Sequence, residues 1–247
     1  MGKVIAVSGK GGVGKTLVAA LLVKELVERK QGSVLAIDAD PDANLAGALG
    51  VKVEKTIGDI REEISGGLPA NVEKKTYLES KAFEITVESG GFDLISMGRP
   101  EGSGCYCALN HMLREVIDTT TKAYDYTVID AEAGLEHLSR RTTQNVDTML
   151  VVTDASQRGL ETAKRIKELA GELDIKFSEF ALVLNRVKDE NRKQLKEKAG
   201  MLDVKVIAEI PEDENVSEYD LAGKPLSGLP MDSPARAAVR ELAGEIA

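Results

Sequence analysis

Seven short apolar runs punctuate the chain: KVIAVS at 3–8, SVLAID at 33–38, FDLISM at 92–97, YTVID at 126–130, TMLVVT at 148–153, FALVLN at 180–185 and VKVIAEI at 204–210. Most are apolar at consecutive positions rather than alternate ones. A strand of that kind is buried on both faces, as in a parallel sheet. Between the runs, apolar residues return at helical spacing, most clearly at 15–30, 107–123, 159–173 and 234–246. This alternation predicts an α/β fold: a mostly parallel central sheet of about seven or eight strands with helices on both faces. The weakest pattern lies at 56–90, where the alternating KAFEITVES predicts an added edge strand. No internal repeat, low-complexity tract or linker interrupts the 247 residues, so one domain spanning 1–247 is expected. In such sheets ligands bind beyond the carboxyl ends of the strands. Most of the chemically suggestive residues fall there.

GKGGVGKT at 9–16 fits the pattern G-x-x-x-x-G-K-[ST], between the first strand and the first helix. In that setting glycines let backbone N–H groups curl around phosphate oxygens, at a helix N-terminus with partial positive charge. Gly11, Gly12, Val13 and Gly14 form the expected cradle. Lys15 is expected at the β- and γ-phosphates, with the Thr16 hydroxyl on Mg²⁺. The implied fold is that of a P-loop NTPase. Acids close two other strands. Asp38 ends one run, with Asp40 two residues on. Asp130 ends another, four residues before Gly134. A carboxylate at a strand tip beside the phosphate loop suits Mg²⁺ held through water, and Gly134 would let the backbone follow a γ-phosphate. Asp42 and Asn44, which follow Pro41, are read as turn and cap residues.

The composition holds 2 cysteines, Cys105 and Cys107, both within GSGCYC at 102–107. One pair at i, i+2 cannot build a disulfide framework. The thiols are either small buried hydrophobes, or catalytic groups with His111 and His137 as the only imidazole partners, or soft metal ligands. A closed tetrahedral site wants four ligands. One chain supplies two sulfurs; two chains meeting at a twofold axis supply four. Ni²⁺, Zn²⁺, Cu⁺ and iron–sulfur clusters all suit thiolates. His111, one turn into the following helix, is either a further ligand or a surface or packing residue. The net charge of −9 argues against nonspecific binding to nucleic acid or an anionic membrane. No stretch approaches the roughly 20 apolar residues of a membrane span, and the N-terminus shows no signal-peptide pattern. The chain is read as cytoplasmic.

KGGVGKT, with Lys10 directly after the first glycine, resembles the deviant Walker A motif of the MinD, ParA and nitrogenase iron-protein ATPases. The resemblance implies ATP and Mg²⁺ as cofactors. It implies that Lys10 crosses a homodimer interface to the partner's nucleotide, placing positive charge where the transferring phosphoryl group builds negative charge. Hydrolysis would then depend on dimerisation. It also implies that Asp40 orients the attacking water and that Asp38 lies near Mg²⁺ and its waters. Asn185, in LVLNRV, would pair with the adenine edge. Pro211, Glu212 and Asp213, in EIPEDENV, resemble a second base-contacting loop, although Glu212 or Asp213 alternatively caps the next helix. The segment DAEAGLEHLSRR after Asp130 lacks the prolines commoner in the family.

GRPEGSGCYC and DAEAGLEHLSRR together are similar to the nickel-insertion ATPases of the CooC type, which mature carbon monoxide dehydrogenase, and to their acetyl-CoA synthase counterpart. That resemblance implies a site for Ni²⁺ or Zn²⁺, built from Cys105 and Cys107 of each chain at the dimer interface. It also implies ATP-dependent nickel delivery to one of those client enzymes. Two other classes stay open: an iron–sulfur or electron-transfer ATPase like the nitrogenase iron protein, and a positioning ATPase like MinD or ParA. The C-terminal SPARAAVRELAGEIA places Val239, Leu242 and Ile246 on one face. It reads as a helix packed on the domain rather than a membrane anchor.

Overall fold

Consecutive apolar residues can all be buried only if a strand is covered on both sides, and that requirement organises the molecule. The computed structural model describes residues 2–65, 74–99, 106–131, 146–154, 156–172, 177–200 and 204–247, with residues 65, 74, 75, 79 and 106–108 described by their backbone alone. Its strands are β1 (Lys3–Gly9), β2 (Val34–Ala39), β3 (Val87–Ser89), β4 (Phe92–Ser96), β5 (Tyr126–Ala131), β6 (Val146–Asp154), β7 (Phe177–Val187) and β8 (Lys205–Pro211). They form one sheet in the order β3-β4-β2-β5-β1-β6-β7-β8. Every pairing is parallel except β3 with β4.

The helices are α1 (Lys15–Arg29), α2 (Asn44–Leu49), α3 (Ile57–Ser65), α4 (Lys74–Ile85), α5 (Tyr106–Thr120), α6 (Gln157–Glu172), α7 (Asp189–Gly200), α8 (Glu214–Leu221) and α9 (Pro234–Ile246). Side chains alternate between the sheet faces with period 2. Val4 and Ala6 of β1 therefore join one apolar layer, with α3 to α7. Ile5 and Val7 join the other, with α1, α2 and α9. Val239, Leu242 and Ile246 are buried in that second layer, so α9 is packed as expected. Among the described residues, no helix is long and apolar enough to cross a membrane.

The seven expected strands are all present. The expected edge strand at 81–89 is mostly a helix. Residues 81–85 belong to α4, and only Val87–Ser89 pairs with the sheet edge, antiparallel to β4. Phe83, one of the apolar residues of that alternating run, is 83% exposed. The buried residues are Leu78, Ala82 and Ile85, which share one helix face.

An ion-pair network ties α9 to α1. Arg236 and Glu25, 5% and 2% exposed, meet at 2.7 Å. Arg236 also reaches Glu28 at 2.7 Å and donates to the Leu229 carbonyl at 2.8 Å. Arg240 meets the other Glu25 oxygen at 3.0 Å. Removing Arg236 leaves the buried Glu25 carboxylate with the partly exposed Arg240 as its remaining partner and takes the donor from the Leu229 carbonyl, which costs far more than a surface pair is worth. Arg236→Met should lower unfolding stability in urea by about 3–5 kcal/mol. A loss within the range of ordinary surface substitutions would contradict this reading of the clamp.

Candidate functional site

The glycine loop leaves β1 through a gap that admits no side chain. A Cβ on Gly9 would lie 2.2 Å from the Val152 carbonyl oxygen of the neighbouring strand. The loop ends at Gly14, whose φ of 96° lies in the left-handed region. A Cβ there would sit 2.3 Å from Asn185 Nδ2. That closeness has a function within the fold, because Asn185 Nδ2 donates to the Val13 carbonyl at 2.8 Å. Its Oδ1 accepts from the Arg186 N–H at 2.9 Å. Asn185 is buried and braces the phosphate loop from β7. One N–H and one lone pair of its amide remain for a base. On the other side of the loop, a Cβ on Gly11 or Gly12 would meet nothing within 4 Å. The cradle is open there. Lys15 is buried, with Nζ 3.5 Å from the Lys10 carbonyl, while Lys10 itself is exposed.

Asp38 and Asp130 stand directly opposite each other in the β2–β5 ladder. Both are buried, at 0% and 1% exposure. Burial, and then the neighbouring Asp130, push the Asp38 carboxyl up to about 7. Burial pushes Asp130 up to about 6, against the Thr16 hydroxyl and the Lys15 charge, which both favour its ionised form. Thr16 Oγ1 donates to Asp130 Oδ2 at 2.7 Å. Among the described residues, Asp130 Oδ1 is buried with no hydrogen-bond partner. A carboxylate oxygen left without a donor, next to a phosphate loop and a threonine hydroxyl, fits a hydrated divalent cation. Thr16 and Asp130 are the residues that would hold it.

Asp38 has a second task. Its two oxygens accept from the Asp40 N–H at 3.2 Å and the Leu45 N–H at 2.9 Å. It therefore caps α2. The expected cap residues, Asp42 and Asn44, do not: the N-cap position is Ala43, with no side-chain cap bond. Asp40 instead turns the segment by accepting from the Asp42 N–H at 2.9 Å. Asp42 forms an ion pair with Arg99. Arg99 follows β4, whose exit is fixed by a 2.8 Å bond from the Met97 N–H to the Asp38 carbonyl. Both termini of this contact are thereby tied to the strand end carrying Asp38.

A cleft of about 680 Å³ runs from Gly11, Lys15 and Thr16 past Asp40 and Asn185 to Pro211, Glu212 and Asp213. The structure brings these expected residues together. It assigns Asp213 a structural duty. The Asp213 carboxylate accepts from the Asn215 N–H at 2.9 Å as the cap of α8, from Ser233 Oγ at 2.6 Å and from the Ala235 N–H at 3.1 Å. These bonds hold its carboxyl below the usual range despite burial. Glu212 pairs with Lys188 at 3.3 Å. Ser217, Asp220 and Lys224 of α8 and the turn after it also line the cleft. The sequence offered little signal for them, since α8 buries no residue and has no apolar stripe.

Cys105 and Gly134 lie outside the described residues, as does His137. Cys107 is the second residue of α5, a helix that leads through a short turn at Thr121–Ala123 into β5 and Asp130. His111 is exposed on α5, 3.5 Å from Glu115. Among the described residues, no group of three or more His, Cys, Asp or Glu side chains is placed to hold a metal.

A glycine loop between β1 and α1, flanked by strand-end carboxylates, defines a P-loop nucleotide-binding protein. More narrowly, the chain belongs to the CobQ/CobB/MinD/ParA family of nucleotide-binding domains, whose sequence model matches residues 4–226. It is 54% identical over 248 residues to an uncharacterized ATP-binding protein of Methanocaldococcus jannaschii, with 98% of each chain covered. It is 37% identical over 188 residues to the carbon monoxide dehydrogenase accessory protein CooC of Rhodospirillum rubrum, with 70% of each covered. Among solved structures, the septum site-determining protein MinD of Pyrococcus horikoshii, complexed with Mg-ADP, matches with a TM-score of 0.73 at 26% identity, over 100% of this chain and 96% of that one.

The raised Asp38 carboxyl gives a signed expectation. The folded chain keeps this proton up to about pH 7, whereas the unfolded chain loses it near 3.8. Across that window the folded state binds more protons, so Asp38 makes the ligand-free protein less stable as pH rises. Asp38→Asn cannot titrate. Its stability in urea should therefore fall less steeply between about pH 5 and pH 7 than that of the wild type. Parallel slopes would contradict the raised value.

Proposed function

We propose that residues 1–247 act as one cytoplasmic ATPase domain that carries nickel for a client enzyme, carbon monoxide dehydrogenase or acetyl-CoA synthase. The observation that carries this reading is the pair Cys105 and Cys107, the only cysteines in the chain, in a chain 37% identical to a carbon monoxide dehydrogenase accessory protein. Four thiolates from two chains complete a tetrahedral site that one chain cannot. The metal they hold is cargo.

The cleft supplies the driving reaction. The backbone of residues 11–14 and the Lys15 ammonium hold the phosphates, and Pro211 and Asn185 border the base. Thr16 and, through water, Asp130 are the residues that would hold Mg²⁺, which when bound would supply positive charge against the transferring phosphoryl group. Asp40 orients a water for in-line attack; a P–O bond to that water forms, the bond to ADP breaks, and inorganic phosphate leaves. Lys10 is exposed at the rim. In a dimer it reaches the partner's nucleotide and stabilises the same charge in trans, which makes turnover depend on the two chains meeting. Two connections link this site to the thiols: α5, which runs from Cys107 toward β5, and the Asp42–Arg99 pair on the segment leading to Cys105. Nucleotide-driven movement at either would change the sulfur geometry.

The iron–sulfur alternative makes a different elemental prediction. Purified dimer should carry about one Ni or Zn, and Cys105→Ser with Cys107→Ser should remove it. Four irons per dimer with a brown absorption would replace this reading by the electron carrier. Lys10→Ala should still bind ATP but lose ATP-dependent dimerisation in sedimentation. A monomer–dimer equilibrium equal to the wild type's would sink the trans lysine.

A further inference from the structure

Arg186 holds an uncommon backbone conformation. Its φ of 56° lies in the left-handed region, which among the described residues only two other non-glycine residues share. Those two sit at helix boundaries: Lys30 ends α1 and Ala43 precedes α2. Arg186 has no such excuse. It lies inside β7, where the ladder to β8 shifts register between Leu184 and Val187. Bulges of this kind re-aim a side chain, and backbone strain of this kind persists where the surroundings over-determine it, often at ligand sites.

The surroundings here are specific. The Arg186 N–H donates to Asn185 Oδ1, and the same amide donates to the Val13 carbonyl of the phosphate loop. One buried side chain therefore braces the phosphate loop and turns Arg186. Arg186 lines the cleft together with Asn185 and Pro211. It is exposed, and among the described residues its side chain has no hydrogen bond or ion pair. The neighbouring cations are engaged: Lys188 pairs with Glu212, and Lys224 lies over the Tyr219 ring.

The cleft also lacks something. No Phe, Tyr or Trp is among its described lining residues. A nucleobase gains much of its affinity by stacking on a planar group. The guanidinium is planar, weakly hydrated and suited to stacking on a π face. We propose that Arg186 stacks on the base of the bound nucleotide and stands in for the missing aromatic ring. It is then a residue for base affinity, separate from the phosphate-binding loop. This rests on the nucleotide-binding reading of the cleft, and not on the metal.

The test compares ATP, CTP and inorganic tripolyphosphate, each with Mg²⁺, by calorimetric titration. Arg186→Gly is the informative variant, because glycine keeps the left-handed backbone without strain. Arg186→Gly and Arg186→Ala should each weaken ATP binding about tenfold, the scale of one base stacking contact. Tripolyphosphate should bind as it does to the wild type. The preference for ATP over CTP should shrink, since the larger ring loses more stacking. Arg186→Gly binding ATP as tightly as the wild type would overturn the proposal. So would an equal loss for ATP and tripolyphosphate, which would mark a phosphate-binding or structural role. A wild type that binds neither ligand would refute the nucleotide-binding reading itself, and the proposal with it.

Discussion

Two carboxylates buried side by side set the terms for everything at the carboxyl edge of the sheet. Asp38 and Asp130 face each other across β2 and β5 with almost no solvent to screen them. An apolar sheet does not tolerate two such charges without compensation. The fold compensates unequally. Asp38 is absorbed into structure by the Asp40 and Leu45 N–H groups. Among the described residues, Asp130 receives only the Thr16 hydroxyl and leaves one oxygen orphaned. The asymmetry makes one acid a hinge post for the segment after β2 and leaves the other able to recruit positive charge from outside the chain.

That arrangement requires the phosphate loop to be held where Thr16 can reach Asp130. The loop is fixed on both flanks. Gly9 passes against β6, and Asn185 grips Val13 from β7. Behind it, the Glu25–Arg236 clamp holds α1 against α9. Ser233, which caps α9, is bonded in turn to Asp213, which lines the cleft beside Pro211 and Glu212. The two ends of the cleft are therefore parts of one braced frame. Asp213 illustrates the consequence: of the two duties expected for it, base contact or capping of the next helix, the structure shows the cap, and the same carboxylate also holds the start of α9.

Much of this was legible because parallel strands write themselves as unbroken apolar runs. All seven such runs became strands, and the loop from Gly9 to Thr16 followed from its motif and context. Elements that bury little were hard to see. In α7, only Leu195 and Ala199 are buried, so twelve mostly charged residues show no stripe. In α4, exposed Phe83 imitated a strand alternation that the buried Leu78, Ala82 and Ile85 contradict. Side-chain duties were the least legible. Whether an aspartate at a strand end caps, bridges or binds depends on which N–H groups the fold brings to it. Asp38 capping α2 in place of Asp42 or Asn44 follows from the geometry of the turn, not from residue type.

The most direct test asks whether the orphaned oxygen of Asp130 is there for a cation. ATP affinity measured by calorimetry with and without Mg²⁺, in the wild type and in Asp130→Asn, isolates it. The wild type should bind ATP more tightly with Mg²⁺, and the variant should lose most of that gain while still binding metal-free nucleotide. An undiminished Mg²⁺ dependence in Asp130→Asn would contradict the account.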